Sequence, residues 1–113
     1  MKYAVILLSY IWIIGLPFPA QSEEPQVSPQ KGEAVYKAHC VGCHGFQGKG
    51  DGPLIPKFPN PPSLTAKSIR KYSAGRIFHT ITVGFGDMPG HAGQIYEKDR
   101  WHIVNYIKKV IQK

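Results

Sequence analysis

Small and apolar residues recur at helical spacing in the segment that starts near position 29. Positions 32, 36, 40 and 43 are four, four and three residues apart, so they share one face of a helix. Ser28 suits the N-cap of this helix, and Pro29 suits its first position. The pattern therefore predicts a helix over about 29–43 that presents two cysteines on one face.

Two further helical segments follow. Ser73 can cap a helix over 74–83, and Gly84 can end it as a residue with positive φ. A final helix is predicted over 99–111, with Tyr96 as its earliest start. Its apolar stripe consists of Ile103, Tyr106 or Ile107, and Val110. A short helix over 66–72 is also expected, and no segment alternates as a strand does, so the prediction is an all-α fold with three to five helices.

The N-terminal stretch is of a different kind. Residues 3–16 are apolar except for Ser9, and small residues at positions 20 and 22 form a cleavage site. We interpret residues 1–22 as a signal peptide, 23–28 as a tether and 29–113 as one domain. The alternative is an uncleaved membrane anchor, although the stretch is shorter than the ~20 residues that a membrane span needs. Export predicts a periplasmic location in either case.

The chemistry is concentrated in Cys40-Val41-Gly42-Cys43-His44, a C-x-x-C-H motif. Two thiols separated by two residues can each add to one vinyl group of a single porphyrin, and the histidine that follows can reach the iron. The motif is thus typical of covalent attachment of a c-type haem. A thioredoxin-like redox pair would need a βαβ context, and a closed zinc site would need four ligands. The rest of the sequence supports neither alternative.

The charge balance points to the class of partner. Fourteen Lys and Arg against seven Asp and Glu give a formal net charge of +7. Nucleic acid is not expected as a partner of an exported protein. A basic surface suits steering toward an acidic docking patch on a redox protein or toward an anionic membrane. Solubility alone is the alternative explanation.

The motif at Cys40 and the later segment Gly86-Asp87-Met88-Pro89-Gly90 together resemble class I cytochrome c over about residues 32–111. The resemblance implies the class I fold around one covalent haem c, with His44 and Met88 as the two axial ligands of the iron. Gly32 and Tyr36 match the position where the first and last helices of that family cross. The resemblance also implies that the backbone carbonyl of Pro53 accepts a hydrogen bond from the imidazole of His44.

Other histidines bear on the ligand assignment. His91, three residues after Met88, is the competing axial ligand, because bis-His ligation of haem is chemically sound. His39 and His79 fall on outward helix positions and are expected at the surface. We retain Met88 as the predicted ligand, because Met followed by Pro is common in the distal loop of the family.

A finer similarity is to the monohaem cytochrome subunits of alternative complex III, a quinol-oxidising complex. It involves residues 81–89, Asp99-Arg100-Trp101 and Tyr106-Ile107. Those subunits are commonly lipid-anchored through an N-terminal cysteine, which this sequence lacks. The resemblance implies a non-enzymatic one-electron carrier, either a free shuttle or a complex subunit, with an oxidase, a cupredoxin or a quinol-oxidising complex as partner. The alternative is a haem enzyme or gas-binding protein with an open distal site.

Overall fold

The computed structural model describes residues 28–55 and 60–113. This part of the chain contains α1 (Pro29–His39), α2 (Val41–His44), α3 (Lys67–Arg70), α4 (Ala74–Val83) and α5 (Glu97–Tyr106). A π-helix, Ile107–Ile111, continues α5, and the two-residue strands β1 (Gly84–Phe85) and β2 (Met88–Pro89) pair antiparallel. The predicted all-α class I cytochrome c fold is confirmed, and the small hairpin is an addition to it. The predicted signal peptide and nearly all of the predicted tether lie outside the described residues.

The fold is organised around the crossing of α1 and α5. Gly32 lies at the contact, where an added Cβ would stand 2.1 Å from the backbone oxygen of His102. Tyr36 is 1% exposed, and its ring meets that of Tyr106 at a centroid distance of 5.3 Å. The crossing predicted from Gly32 and Tyr36 is therefore confirmed. It lies in a core cluster that also contains Val41, Ile77, Ile81, Ile95, Ile103, Val104 and Ile107.

The predicted helix ends are largely confirmed, and their caps explain them. The side chain of Ser28 accepts a hydrogen bond from the N–H of Lys31, and the side chain of Ser73 accepts one from Arg76. Gly84 ends α4 with φ 87°. The first helix differs from the prediction because it is interrupted at Cys40, whose φ of −114° lies outside the regular helical range.

The end of the last helix also differs from the prediction. After Tyr106 the chain widens into a π-helix, in which the N–H of Gln112 bonds to the carbonyl of Ile107 at 2.8 Å. The wider turn rotates the apolar stripe, so Val110 is 43% exposed while Ile107 is 4% exposed. The side-chain amide of Gln112 donates to the carbonyl of Leu64 at 2.9 Å and holds the chain end against the loop before α3.

Within residues 28–55 and 60–113, no helix is both long enough and apolar enough to cross a membrane.

Candidate functional site

The C-x-x-C-H motif lies on α2, directly after the break at Cys40. Cys40 and Cys43 are both free thiols and both half-buried. Burial, and secondarily the neighbouring Cys43, raises the pKa of Cys40 to about 12. This direction is the opposite of that in redox-exchange cysteines, whose pKa values are depressed. The described residues also contain no cluster of three or more His, Cys, Asp or Glu side chains arranged to hold a metal ion.

The backbone of this short helix is held by the loop that follows it. Five successive carbonyls, from Val41 to Gly45, all accept hydrogen bonds, and the carbonyl of Gly45 accepts two. The donor–acceptor pairs are Gly45 N with Val41 O at 2.9 Å, Leu54 N with Gly42 O at 2.8 Å, Gly52 N with Cys43 O at 3.1 Å, Gly50 N with His44 O at 2.8 Å, Gly48 N with Gly45 O at 3.2 Å, and the Tyr36 hydroxyl with Gly45 O at 2.7 Å. We call this set the carbonyl cage. A four-residue helix is too short to be stable alone, so the cage determines the geometry of the motif.

Two glycines make the cage possible. An added Cβ on Gly52 would stand 2.2 Å from the oxygen of Gly42, so only glycine lets the loop approach the helix this closely. Gly45, the C-cap of α2, has a φ of 81°, which residues other than glycine rarely adopt. Glycine at both positions allows the loop to surround the carbonyl end of the motif.

The imidazole of His44 is partly buried, and its Nδ1 has no hydrogen-bond partner among the described residues. Burial, and secondarily the nearby His91, lowers the pKa of His44. A neutral imidazole is the form that can bind a metal. The expected hydrogen bond to Pro53 is not formed in this structure, because the segment approaches the helix through the N–H groups of Gly52 and Leu54. Pro53 itself is exposed, and its role as the acceptor stays a prediction.

Met88 lies on β2 and is partly buried against the core cluster. The segment is fixed on the end of α4, because the N–H of His91 donates to the carbonyl of Ile81 at 2.8 Å and that of Ala92 to Thr82 at 3.2 Å. An added Cβ on Gly84 would stand 2.5 Å from the oxygen of Met88, so the two strands are in close contact. Met88 is thereby presented from a rigid hairpin.

Among the described residues, His91 is the histidine that influences the titration of His44. It lowers the pKa of His44, and its own pKa is lowered first by burial. Its ring meets that of His39 edge-on at a centroid distance of 6.4 Å. The predicted exposure of His39 and His79 is confirmed, while the partial burial of His91 keeps it in consideration as a ligand.

Two buried polar side chains were not foreseen from the sequence. His102 is completely buried, and its Nδ1 accepts a hydrogen bond from the N–H of Ser28 at 3.0 Å. Arg100 is 8% exposed, and it donates to the carbonyl of Ile95 at 2.5 Å. Next to it, Trp101 stacks on Phe78 at a centroid distance of 4.0 Å. Helical spacing alone gives no signal for these two polar residues, because their partners lie in other segments.

The fold and the motif agree with a known family. The model of the family described as "Cytochrome C oxidase, cbb3-type, subunit III" matches residues 27–107. The chain belongs to this family of c-type cytochrome domains. Membership implies one covalently bound haem c with its iron and a role in haem-based electron transfer. The free thiols, the neutral imidazole of His44 and the surrounding cage fit such a group.

Solved structures show the same fold. The chain is similar to "KustC0563 c-type cytochrome" with 21% identity and a TM-score of 0.60, over 73% of this chain and 98% of that chain. It is also similar to a chain of the "Kuenenia stuttgartiensis reducing HAO-like protein complex Kustc0457/Kustc0458", with 28% identity and a TM-score of 0.60. That second match covers 70% of this chain and 41% of the other, so this chain spans less than half of it. A comparison with curated proteins found no match.

Proposed function

We propose that this cytochrome is a periplasmic one-electron carrier. Cys40 and Cys43 would hold the porphyrin through thioethers, and His44 and Met88 would be the protein ligands of its iron. When bound, haem c supplies an iron centre that cycles between the ferric and ferrous states and so carries one electron. A site with two protein ligands leaves no open position for a substrate at the iron, which favours electron transfer over an enzymatic role.

The observation that carries this proposal is the carbonyl cage around α2. It holds both thiols and the imidazole on one turn, so a flat ligand attached through the thiols has His44 on one face. A rigid first ligand reduces the rearrangement that accompanies a change in iron charge. The half-buried thiols and His44 lie beside the buried Val41, which belongs to the apolar core. Low solvent access is one of the means by which proteins tune a haem.

The second ligand has a rival that a specific observation favours. Met88 is packed against the core, whereas His91 is electrostatically coupled to His44. A thioether ligand raises the reduction potential relative to a second imidazole. Met88 ligation therefore suits a carrier at higher potential, and His91 ligation would make a low-potential bis-His cytochrome.

A basic surface supports the choice of acidic redox proteins as partners. The segment 60–86 contains no Asp or Glu, and neither does the segment after Asp99. These segments meet where the ammonium of Lys108 bonds to the carbonyls of Arg70 and Tyr72. Lys67, Lys71 and Lys109 are exposed around this contact. Of the described residues, only Lys37 forms an ion pair, with Glu33, and this pair does not involve the lysines around the contact.

The similarity to a chain from a multiprotein complex supports a role beside other redox proteins. We propose either a free shuttle or a subunit of a respiratory quinol-oxidising complex. Besides that complex, the proposed redox partner is an oxidase or a cupredoxin. Purification in mild detergent separates the two forms, because a subunit elutes with larger haem-stained proteins and a shuttle elutes alone.

The experiment that tests the proposal compares Met88→Ala with His91→Ala in haem-loaded protein. Met88→Ala should abolish the weak near-infrared band of sulfur-to-iron charge transfer, lower the potential and open the iron to carbon monoxide. His91→Ala should leave all three unchanged. The reverse pattern would establish bis-His ligation. If neither variant changed the spectrum, the distal site would be open, and a haem enzyme or gas-binding protein would be the better conclusion.

A further inference from the structure

The carbonyl cage contains one contact that differs in kind from the other five. Five of its donors are backbone N–H groups, whereas the sixth is the hydroxyl of Tyr36, which bonds to the carbonyl of Gly45 at 2.7 Å. This is the one donor of the cage that a conservative substitution can remove without changing the backbone. It also crosses from α1 to the residue that directly follows His44.

The position of Tyr36 makes this contact effective. Tyr36 lies one helical turn before Cys40, and the bond spans nine residues to Gly45. The hydroxyl and its acceptor are both buried, so water cannot substitute for either partner. The carbonyl of Gly45 has a second donor, the N–H of Gly48, which is the longer contact at 3.2 Å. Burial, together with the nearby Cys40, Tyr106 and Asp51, raises the pKa of Tyr36, and the hydroxyl therefore stays a donor at any physiological pH.

We propose that Tyr36 is a positioning residue for the axial ligand, whose hydroxyl sets the orientation of the His44 imidazole by holding the carbonyl of Gly45. This inference rests on the proposed role of His44 at the iron. His44 would be held on both sides: its own N–H donates to the carbonyl of Cys40, and its carbonyl accepts from Gly50. The carbonyl of the next residue is held by Tyr36 at 2.7 Å and by the N–H of Gly48 at 3.2 Å. Orientation of an axial histidine by groups behind it increases the electron donation to the metal.

Tyr36→Phe removes the hydroxyl and keeps the ring that fills the helix crossing. A less constrained imidazole donates less to ferric iron, so the midpoint potential of haem-loaded Tyr36→Phe should rise above that of the wild type. The g-values of the ferric iron in electron paramagnetic resonance should shift or broaden as well. Tyr106→Phe is the matched control, because it removes a hydroxyl from the other ring of the same crossing and should leave the potential and the g-values unchanged.

Three outcomes would overturn the inference. An unchanged potential with a lower melting temperature would show that the bond is structural only. Equal shifts in Tyr36→Phe and Tyr106→Phe would assign the effect to the packing of the crossing. If Tyr36→Phe failed to fold, proton NMR of the ferrous wild type would decide, since the bond requires a slowly exchanging hydroxyl proton close to Gly45, and its absence would exclude the contact.

A separate variant distinguishes this inference from the proposed function. His44→Ala should abolish the low-spin spectrum if His44 ligates the iron. If it does, and Tyr36→Phe changes nothing, only the positioning role fails. If His44→Ala keeps the wild-type spectrum, the proposed ligand set itself fails.

Discussion

Replacement of Gly32 by alanine tests whether the α1–α5 crossing carries the stability of the domain. An alanine Cβ would stand 2.1 Å from the oxygen of His102, whereas ordinary van der Waals contact begins at about 3.4 Å. The crossing must therefore open by roughly 1.3 Å, as the difference between these two distances, and the opposing atom is backbone that cannot rotate away. Overpacking of this kind costs roughly 1–3 kcal/mol.

Helix propensity acts in the opposite direction. Alanine is better than glycine in a helix by about 1 kcal/mol. Because the clash is with backbone, we take the upper part of the overpacking range and expect a net loss of about 1–2 kcal/mol for Gly32→Ala. For a domain of this size that loss lowers the melting temperature by roughly 4–16 °C. Thermal unfolding of the haem-loaded protein, followed by circular dichroism, measures this change.

The matched control is Gly75→Ala in α4. The nearest heavy atom to an added Cβ there is the Ser73 hydroxyl at 4.0 Å, so the substitution meets no obstacle. Gly75→Ala should be neutral or stabilising by up to about 1 kcal/mol. If Gly32→Ala were as stable as the wild type, the two helices could separate freely, and the crossing would not limit the stability of the fold.

Two further predictions concern charge. Burial lowers the pKa of His102, with Lys31 and Lys98 acting in the same direction and Asp99 against them. The folded state therefore binds fewer protons than the unfolded state below pH ~6.5, so the free energy of unfolding should fall by up to about 1.4 kcal/mol per pH unit from there down to the folded pKa. Thermal melts between pH 7.5 and 5 should show a smaller loss for His102→Asn than for the wild type or the exposed control His79→Asn, and equal losses would contradict the assignment. Electron transfer to an acidic partner should slow as the salt concentration rises, because the Debye length falls from ~10 Å at 0.1 M to ~3 Å at 1 M. Stopped-flow measurements test this, and a rate that does not change with salt would leave solubility as the role of the positive charge.

The features that the sequence predicts well are those set by local chemistry. Ser28 and Ser73 cap helices because their hydroxyls reach N–H groups only three residues away, and Gly84 ends α4 because it tolerates a positive φ. The C-x-x-C-H motif places its own chemistry within one turn. Gly32 and Tyr36 are assigned to the helix crossing through the resemblance to class I cytochrome c, in which a glycine and an aromatic residue four positions apart mark the crossing.

The features that the sequence does not predict depend on partners far along the chain. His102 appears as a polar residue on a helix, and its burial follows from a contact with Ser28, 74 residues away. Val110 fits the apolar stripe, yet it is exposed because the π-helix changes the spacing after Tyr106. The role of Pro53 as acceptor is implied by the resemblance to class I cytochrome c, and it stays a prediction.

The structure separates two tasks that a small haem domain must perform. The α1–α5 crossing at Gly32 supplies apolar burial and stability, while the carbonyl cage supplies the geometry of α2. Tyr36 takes part in both through its side chain, since its ring fills the crossing and its hydroxyl belongs to the cage. A substitution at Gly32 should therefore lower the melting temperature with little effect on the potential, and loss of the Tyr36 hydroxyl should change the potential at a smaller cost in stability. The two sets of contacts meet at this one side chain. The two tasks are separate to the extent that variants change the melting temperature without changing the potential, or the potential without changing the melting temperature.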